Sequence, residues 1–279
     1  MSRNSAIFYV SAFFGLWLIA SPFLSSETKC AMIASDCISG FLVILFSLMR
    51  RPWSIACVGL WLQLAPLFFW ATSSTTYATD TFIGAALIIA SVILPEEKIE
   101  KSGNIPPRMD HNPSSWSRRV AIAFLALGAH LSARYMASYQ LGYIDTIWDP
   151  VFDDGKGTWY VITSDISKMF PVSDAGLGAF AYMMELLLVF KGDDARWRKM
   201  PWVVACFGFL VVPVGIVSSL LIFLQPVVVG HLCFWCLLTA FFMLIMVILT
   251  VGEVKAMYRF VKDSMKQGKS FNKLFWQNL

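Results

Sequence analysis

Apolar residues dominate the chain in eight stretches that polar segments separate. These stretches lie at residues 6–25, 33–49, 53–71, 81–94, 120–139, 175–190, 202–224 and 232–251. Several approach the roughly 20 residues that cross a bilayer as a helix, while the second, fourth and sixth would need polar flanking turns to do so. None shows the alternation that is typical of membrane barrel strands. The pattern therefore predicts an all-α integral membrane protein with eight transmembrane helices.

Composition agrees with this prediction. Of the 279 residues, 57% are hydrophobic and 14% are charged, whereas soluble domains carry about 25% charged residues. The net charge of +4 does not indicate a nucleic-acid partner. The basic residues that follow position 253 are predicted to form a tail, at 254–279, that touches anionic lipid. The first apolar stretch lacks a small-residue cleavage site, so we expect it to be retained as a helix.

The distribution of basic residues predicts the topology. Eight crossings place both termini on one side of the membrane, and the loops on that side hold 18 of the 22 lysines and arginines. The opposite side holds only Lys29, Arg134, Lys156 and Lys168. Cytoplasmic loops carry the excess of positive charge. The N- and C-termini are therefore predicted to be cytoplasmic.

The first half of the chain repeats itself with an offset of 44 residues. The segment Gly15–Leu18 (Gly-Leu-Trp-Leu) recurs unchanged at Gly59–Leu62. Three further identities at the same offset are Pro22 with Pro66, Asp36 with Asp80, and Gly40 with Gly84. Each copy predicts two helices, with the aspartate as the N-cap of the second helix.

This half resembles the tandem SPW-repeat family of bacterial membrane proteins, over about residues 6–94. The Ser-Pro-Trp signature of that family reads Ser21-Pro22-Phe23 in the first copy and Ala65-Pro66-Leu67 in the second. The resemblance implies two helix pairs but brings little function with it.

Polar segments divide the rest of the chain. The charged and proline-rich stretch at 95–117 predicts a cytoplasmic linker between two four-helix halves. The segment at 140–173 predicts an outer lid, with a tight turn at Asp153–Gly157 and a short strand at 158–162. A calcium site formed by Asp149, Asp153 and Asp154 is disfavoured, because their spacing does not fit an EF-hand loop.

Two cysteines open the last apolar stretch. Cys233 and Cys236 lie three residues apart, so they share one helix face and can close a disulfide in the first helical turn. A helix N-terminus also favours the thiolate that carries out exchange chemistry. From these residues alone, four interpretations stay open: a redox pair, a structural disulfide, half of a zinc site, or two small buried side chains.

The residues around this dithiol resemble the vitamin K epoxide reductase family, over about 118–253. The segment Pro171–Gly178, with Ala181-Tyr182, is followed in the expected order by Cys233-Phe-Trp-Cys236-Leu-Leu. The resemblance implies a four-helix bundle that passes electrons from thiols to a quinone, either ubiquinone or menaquinone. It implies that Cys233 exchanges with the incoming thiol or disulfide and that Cys236 faces the quinone. No metal is predicted.

The same resemblance supplies candidates for contact with the quinone, which are Ser173, Asp174 and Tyr182. The family often places a tyrosine four residues after the second cysteine, where this chain has Ala240. Many members also carry two relay cysteines in the first outer loop of the bundle, and the segment at 140–173 contains none.

Cys30 and Cys37 are the candidates to replace that relay. They lie on the predicted outer side, together with the dithiol, and their counterparts in the second repeat are Ser74 and Thr81. Since the repeat does not require cysteine there, we expect the pair to form a relay or a disulfide. A purely structural clip in an oxidising compartment, or no pairing, is the alternative.

Together these features predict a bacterial inner-membrane oxidoreductase that moves electrons from periplasmic thiols to a quinone. Its predicted partners are membrane lipid, the quinone and a periplasmic thioredoxin-like protein. The alternative is a non-catalytic membrane protein that serves assembly or interaction and carries a vestigial dithiol.

Overall fold

A computed structural model describes residues 3–93, 105–169 and 171–276. Within these ranges the protein is helical and contains no strand. The helices are α1 (Arg3–Leu24), α2 (Cys30–Leu48), α3 (Pro52–Phe68), α4 (Ser74–Ile88), α5 (Trp116–Gln140), α6 (Gly157–Ile162), α7 (Asp174–Val189), α8 (Arg196–Lys199), α9 (Pro201–Leu224), α10 (Phe234–Lys266) and α11 (Phe271–Phe275). Part of the predicted linker, at 95–104, lies outside the described residues.

Six helical stretches among the described residues are long and apolar enough to span a membrane. They lie at 6–24, 30–48, 74–92, 116–140, 201–229 and 234–266, the third and fifth continuing α4 and α9 through π-helical turns. The apolar helices α3 and α7 are shorter, with 17 and 16 residues. A multi-pass membrane protein is therefore supported, and the count of eight spans stays a prediction.

The chain forms two compact units, and each draws on both halves of the sequence. The first unit comprises Met1–Pro95, Ala133–Phe180 and His231–Phe234. The second comprises Glu96–Ser132, Ala181–Gly230 and Trp235–Leu279. The division into domains at 94, 117 and 253 stays a prediction.

The internal repeat has a structural counterpart in the first unit. Helices α1 and α2 cross at Gly15 and Gly40, where a Cβ on Gly15 would lie 2.7 Å from the Gly40 carbonyl oxygen. Helices α3 and α4 cross in the same way at Gly59 and Gly84, again with 2.7 Å between the added Cβ and the facing oxygen. Glycine permits this close approach of two backbones. The resemblance to SPW repeats itself stays a prediction.

The predicted N-caps of these repeats are wrong. Helices α2 and α4 begin six residues before Asp36 and Asp80, so both aspartates lie inside helices and are fully buried. The residue that caps α4 is Ser73, whose hydroxyl accepts a hydrogen bond from the backbone N–H of Thr76. Local polar residues thus start the helix earlier than the position of the acidic residue suggested.

Glu27 joins the two loops that precede α2 and α4. Its buried carboxylate accepts hydrogen bonds from the backbone N–H groups of Thr28, Lys29, Thr72 and Ser73, at 3.0–3.2 Å, and from the Thr72 hydroxyl. Burial raises the pKa of Glu27, but the hydrogen bonds lower it by more than burial raises it, and the net pKa lies below the usual value. Glu27 is therefore an ionised bridge between the two repeats.

The second unit contains a buried ion pair. Arg196 donates to both carboxylate oxygens of Glu253, at 2.6 and 2.7 Å, and Ser114 also donates to Glu253. Arg119 donates to the carbonyl of Val189, the last residue of α7, and to those of Lys191 and Gly192, which follow it. These arginines satisfy carbonyls that the helix end leaves without intrahelical donors.

The predicted basic tail is partly structured. Helix α10 continues past position 253 to Lys266. Ala256, Met257 and Val261 are buried against Trp197 and Val204 in the second unit. The first part of the predicted tail is therefore packed helix.

Candidate functional site

Cys233 and Cys236 are joined in a disulfide. Cys233 directly precedes α10, and Cys236 lies in the first turn of that helix. The disulfide that the spacing permits is therefore present. Cys233 is fully buried, with 0% exposure, whereas Cys236 is partly exposed.

The helix start beside Cys233 is held by a carboxylate from the segment at 140–173. Asp149 accepts a hydrogen bond from the backbone N–H of Phe234, the first residue of α10, at 2.9 Å. The same carboxylate accepts from the backbone N–H groups of Val151 and Phe152 and from the Thr158 hydroxyl, at 2.7–2.9 Å. Asp149 thus supplies the N-terminal cap that α10 does not obtain from its own sequence.

Asp149 is ionised in this arrangement. Burial raises its pKa, but the hydrogen bonds from Phe234, Thr158, Phe152 and Val151 lower it by more, and the net pKa lies below the usual value. The side chain is only 1% exposed. A buried negative charge is therefore bound to the backbone of Phe234, the residue that follows Cys233.

Gly157 permits a close approach to the residue before Cys233. A Cβ at this position would lie 2.3 Å from the carbonyl oxygen of Leu232 and 2.6 Å from Cβ of Phe152. Asp153 and Asp154, just before it, adopt left-handed backbone conformations. The predicted strand at 158–162 is wrong, because these residues form the short helix α6 instead. Asp149 ties Thr158, in the first turn of this helix, to the start of α10.

His231 and Met136 complete the surroundings of Cys233 in the first unit. Nδ1 of His231 lies 3.0 Å from a carboxylate oxygen of Asp153, and its ring stacks on Tyr160 with 4.0 Å between centroids. Sδ of Met136 lies 3.9 Å from Sγ of Cys233. The histidine therefore contacts two residues of the segment at 140–173.

Ser173 and Asp174 are bound to one glutamine. Gln140 Nε2 donates to Asp174 at 2.6 Å, and the Ser173 hydroxyl donates to Gln140 Oε1. Ser173 also accepts from the backbone N–H of Gly176, at 2.9 Å. Both predicted quinone contacts thus take part in a network at the start of α7.

Tyr182, the third predicted contact, lies in the second unit and is 4% exposed. Its hydroxyl interacts with the side chains of Ser218 and Thr239. Thr239 in turn donates a hydrogen bond to the backbone carbonyl of Cys236, at 2.9 Å. Tyr182 is therefore connected through one side chain to the turn of α10 that carries Cys236.

The predicted relay cysteines are free thiols. Cys30 is exposed, Cys37 is half-buried, and no disulfide joins them. Both lie in α2, where seven residues correspond to about 10 Å along the helix axis, which is beyond the reach of a disulfide. The structure thus does not pair them, and a relay role for either one stays a prediction.

Sequence reasoning missed the roles of Asp149 and Gly157. Asp149 was considered only as a calcium ligand, although an aspartate before Pro150 is a recognisable local stop. Gly157 was assigned only to a turn. Among the described residues, no group of three or more His, Cys, Asp or Glu side chains is arranged to hold a metal ion.

Comparison with known proteins identifies the second half of the chain. Residues 120–251 match the vitamin K epoxide reductase family, which agrees with the resemblance inferred for about 118–253. No significant match was found among curated proteins or among solved structures. The disulfide Cys233–Cys236, its anchor Asp149, and Tyr182 all fall within the matched residues. The C-terminal half of this chain therefore carries a vitamin K epoxide reductase family domain.

Proposed function

We propose that this protein is a membrane oxidoreductase that passes electrons from thiols to a quinone through Cys233 and Cys236. The observation that carries this proposal is the disulfide at the start of a long apolar helix, inside the residues that match the family. Proteins of this family are typically oxidoreductases that use quinones. The proposed location of the protein is a bacterial inner membrane, with the disulfide on the periplasmic side.

The proposed exchange moves two electrons and two protons from the donor to the quinone. A thiolate of a dithiol donor, such as a thioredoxin-like protein, attacks Sγ of Cys233, and the Cys233–Cys236 bond breaks to leave Cys236 as a thiolate. The second thiol of the donor then attacks the donor sulfur of the mixed disulfide. The donor leaves with its own disulfide, and Cys233 is released as a thiolate. Two electrons and two protons then pass from the reduced pair to the quinone, which becomes a quinol as the disulfide forms again.

The burial of Cys233 sets a condition on this sequence. Because its sulfur is 0% exposed, a donor reaches it only when the residues that cover it move. The contacts that hold the backbone beside it come from Asp149 and Gly157. We therefore propose that opening of the segment at 149–158 precedes thiol exchange.

Tyr182 is the best supported of the three candidates for quinone contact. Its link through Thr239 reaches the turn of α10 that carries Cys236. Ser173 and Asp174 are engaged with Gln140, so we propose that they order the start of α7. Tyr182→Phe is expected to raise the KM for quinone and to leave the Cys233–Cys236 disulfide intact.

Quinone reduction by the purified full chain tests the proposal. With a dithiol donor, we expect the wild-type protein to reduce the quinone and both Cys233→Ser and Cys236→Ser to fall to the background rate. Cys57→Ser and Cys206→Ser are matched controls, because each removes an exposed free thiol, and both should retain the wild-type rate. Activity that survives loss of either cysteine of the pair would contradict the mechanism. Inactive wild-type protein with an intact disulfide would favour a non-catalytic role in assembly.

A trapping experiment tests the relay. In Cys236→Ser, the thiol of Cys233 has lost its partner and is left to capture an incoming sulfur. If Cys30 or Cys37 passes electrons to it, non-reducing peptide mapping will find the corresponding mixed disulfide. Its absence, while a mixed disulfide with the external donor does form, would exclude the relay.

A further inference from the structure

Two buried carboxyl groups face each other inside the first unit. Asp36 in α2 and Asp80 in α4 are each 0% exposed, and their side chains interact directly. They are equivalent positions of the internal repeat, and each lies six residues, or about 9 Å, into its helix. Both helices belong to candidate membrane spans. The repeat thus places one carboxyl from each copy against the other, away from water.

Apart from each other, the four oxygen atoms of this pair have no hydrogen-bond partner among the described residues. Glu27, by contrast, receives hydrogen bonds from four backbone amides and one hydroxyl. An unpaired ionised carboxylate in such surroundings carries a large desolvation penalty even after relaxation, and a second negative charge beside it adds repulsion. Two ionised aspartates are therefore incompatible with this arrangement unless a positive charge joins them.

The charged groups around the pair do not supply that positive charge. Glu27, in the loop before α2, adds a further negative charge that acts on both aspartates. Arg134 of α5 donates to the Thr81 hydroxyl at 2.9 Å and lies over the ring of Tyr77. Lys29 donates to the carbonyl of Phe69, at 2.9 Å. The Tyr143 hydroxyl, which is close enough to interact with Asp80, donates to the carbonyl of Ala71.

We propose that Asp36 and Asp80 form an intramembrane proton-binding site, in which the bound proton forms an O–H bond with one carboxyl and is supplied by the aqueous phase. A proton fits better than a metal cation, because hard cations take six or more oxygen ligands and this pair offers four. Ionisable groups within membrane spans often mark proton pathways. The first unit thus carries a proton site that is distinct from the dithiol.

Infrared titration of the full chain in lipid nanodiscs tests the proposal, because the carbonyl stretch of a protonated carboxyl is resolved from carboxylate bands. Glu185→Gln is the background, since Glu185 is the other buried carboxyl whose oxygens lack a partner among the described residues. In this background, we expect a protonated-carboxyl band at neutral pH that falls reversibly as the pH rises. Asp36→Asn and Asp80→Asn should each reduce the band, and the double variant should abolish it.

Three outcomes would overturn the proposal. The first is an unchanged band in the double variant, and the second is a band that does not respond to pH. The third is loss of the band on adding Na⁺ or K⁺ at constant pH, which would assign the site to a metal cation. Isotope labelling of aspartate identifies the band in the unsubstituted chain if a variant fails to fold. Cys233→Ser should leave the band unchanged, which separates this site from the proposed redox function.

Discussion

The carboxylate of Asp149 accepts a hydrogen bond at 2.9 Å from the backbone N–H of Phe234, the residue that follows Cys233. The acceptor belongs to the segment at 140–173, and the donor begins the helix that carries Cys236. One ionised side chain therefore fixes the start of α10 and brings a negative charge close to the dithiol.

Replacing Asp149 with Asn should increase the reactivity of the reduced dithiol. A nearby anion disfavours a second anion, so removing the charge of Asp149 favours the thiolate that reacts with alkylating reagents. We expect the alkylation rate of the reduced pair at neutral pH to rise severalfold. Mass spectrometry after brief exposure to iodoacetamide measures this rate for each cysteine.

Asp154→Asn is the matched control for this change. It removes the same charge from the same segment, but Asp154 is exposed and adopts a left-handed conformation that Asn tolerates. Its alkylation rate should stay close to that of the wild type. An equal increase in both variants would show that the net charge of the segment, rather than the contact with Phe234, governs the thiols.

Replacing Gly157 with Ala should displace the backbone before the dithiol. The added Cβ would come within 2.3 Å of the Leu232 carbonyl oxygen, so either α6 or the segment before α10 must shift. We expect loss of about 1–3 kcal/mol of stability, as for other overpacked sites, and faster reduction of the disulfide by a soluble dithiol. Thermal unfolding and timed alkylation after reductant addition measure the two effects.

Gly252→Ala provides the comparison for Gly157. Position 252 lies in α10, and the nearest atoms to an added Cβ are 3.7 Å away. Alanine is the better helix former, so stability should be unchanged or slightly increased and disulfide reduction should keep its wild-type rate. Wild-type stability and wild-type disulfide reduction in Gly157→Ala would mean that the backbone around position 157 accommodates the added Cβ without loss of stability.

Acid should weaken the bridge that Glu27 forms between the two repeats. The pKa of Glu27 is lower in the folded protein than the usual value of about 4.3. The folded state therefore binds fewer protons than the unfolded state in the interval between the two values, and stability falls as the pH decreases through it. Stability from Glu27 should be complete above about pH 5 and should decline as the pH falls from the unfolded-state pKa through the lower folded-state pKa.

Glu27→Gln should remove this part of the acid dependence. Hydrogen bonds to a charged group contribute about 1.5–3 kcal/mol, so we expect a loss of roughly 2 kcal/mol at neutral pH and a smaller loss at low pH. Thermal unfolding of both proteins between pH 3 and 7, in the same detergent, measures the difference. A gap that widens as the pH falls would contradict the assignment of Glu27 as the ionised acceptor.

The membrane helices were predictable because their signal is long and repetitive. Gly40 and Gly84 were recognisable from the sequence as equivalent positions of the repeat, and each lies at a close helix crossing. The positions of Asp36 and Asp80 were not predictable in the same way. An acidic residue near a helix start usually faces outward as a cap, and only the three-dimensional packing reveals that these two face each other.

The dithiol was recognisable from its spacing, but the hydrogen bond from Phe234 to Asp149 beside it was not. Asp149 and Phe234 are far apart in the chain, so no local pattern connects them, and the hydrogen bond depends on how the segment at 140–173 folds. That segment misled the sequence reading at 158–162, since Trp159, Tyr160, Val161 and Ile162 favour strands in general. In the protein these residues continue from the crowded Gly157 as a helix, because Asp149 binds both Thr158 and the start of α10.

Breaking the buried ion pair of the second unit should be strongly destabilising. Glu253→Gln leaves the guanidinium of Arg196 buried without its carboxylate, in a site where both side chains are 2% exposed or less. Removal of one partner of a buried pair costs about 3–5 kcal/mol. Unfolding in detergent should show a loss of this size, whereas Lys199→Gln, which removes the partly exposed pair with Asp193, should cost at most about 1 kcal/mol.

Replacing Arg196 and Glu253 together with Met and Leu should recover only part of the loss, because Arg196 also donates to the carbonyls of Leu188, Val189 and Lys191. A loss below about 1 kcal/mol in Glu253→Gln would show that other groups compensate the charge of Arg196.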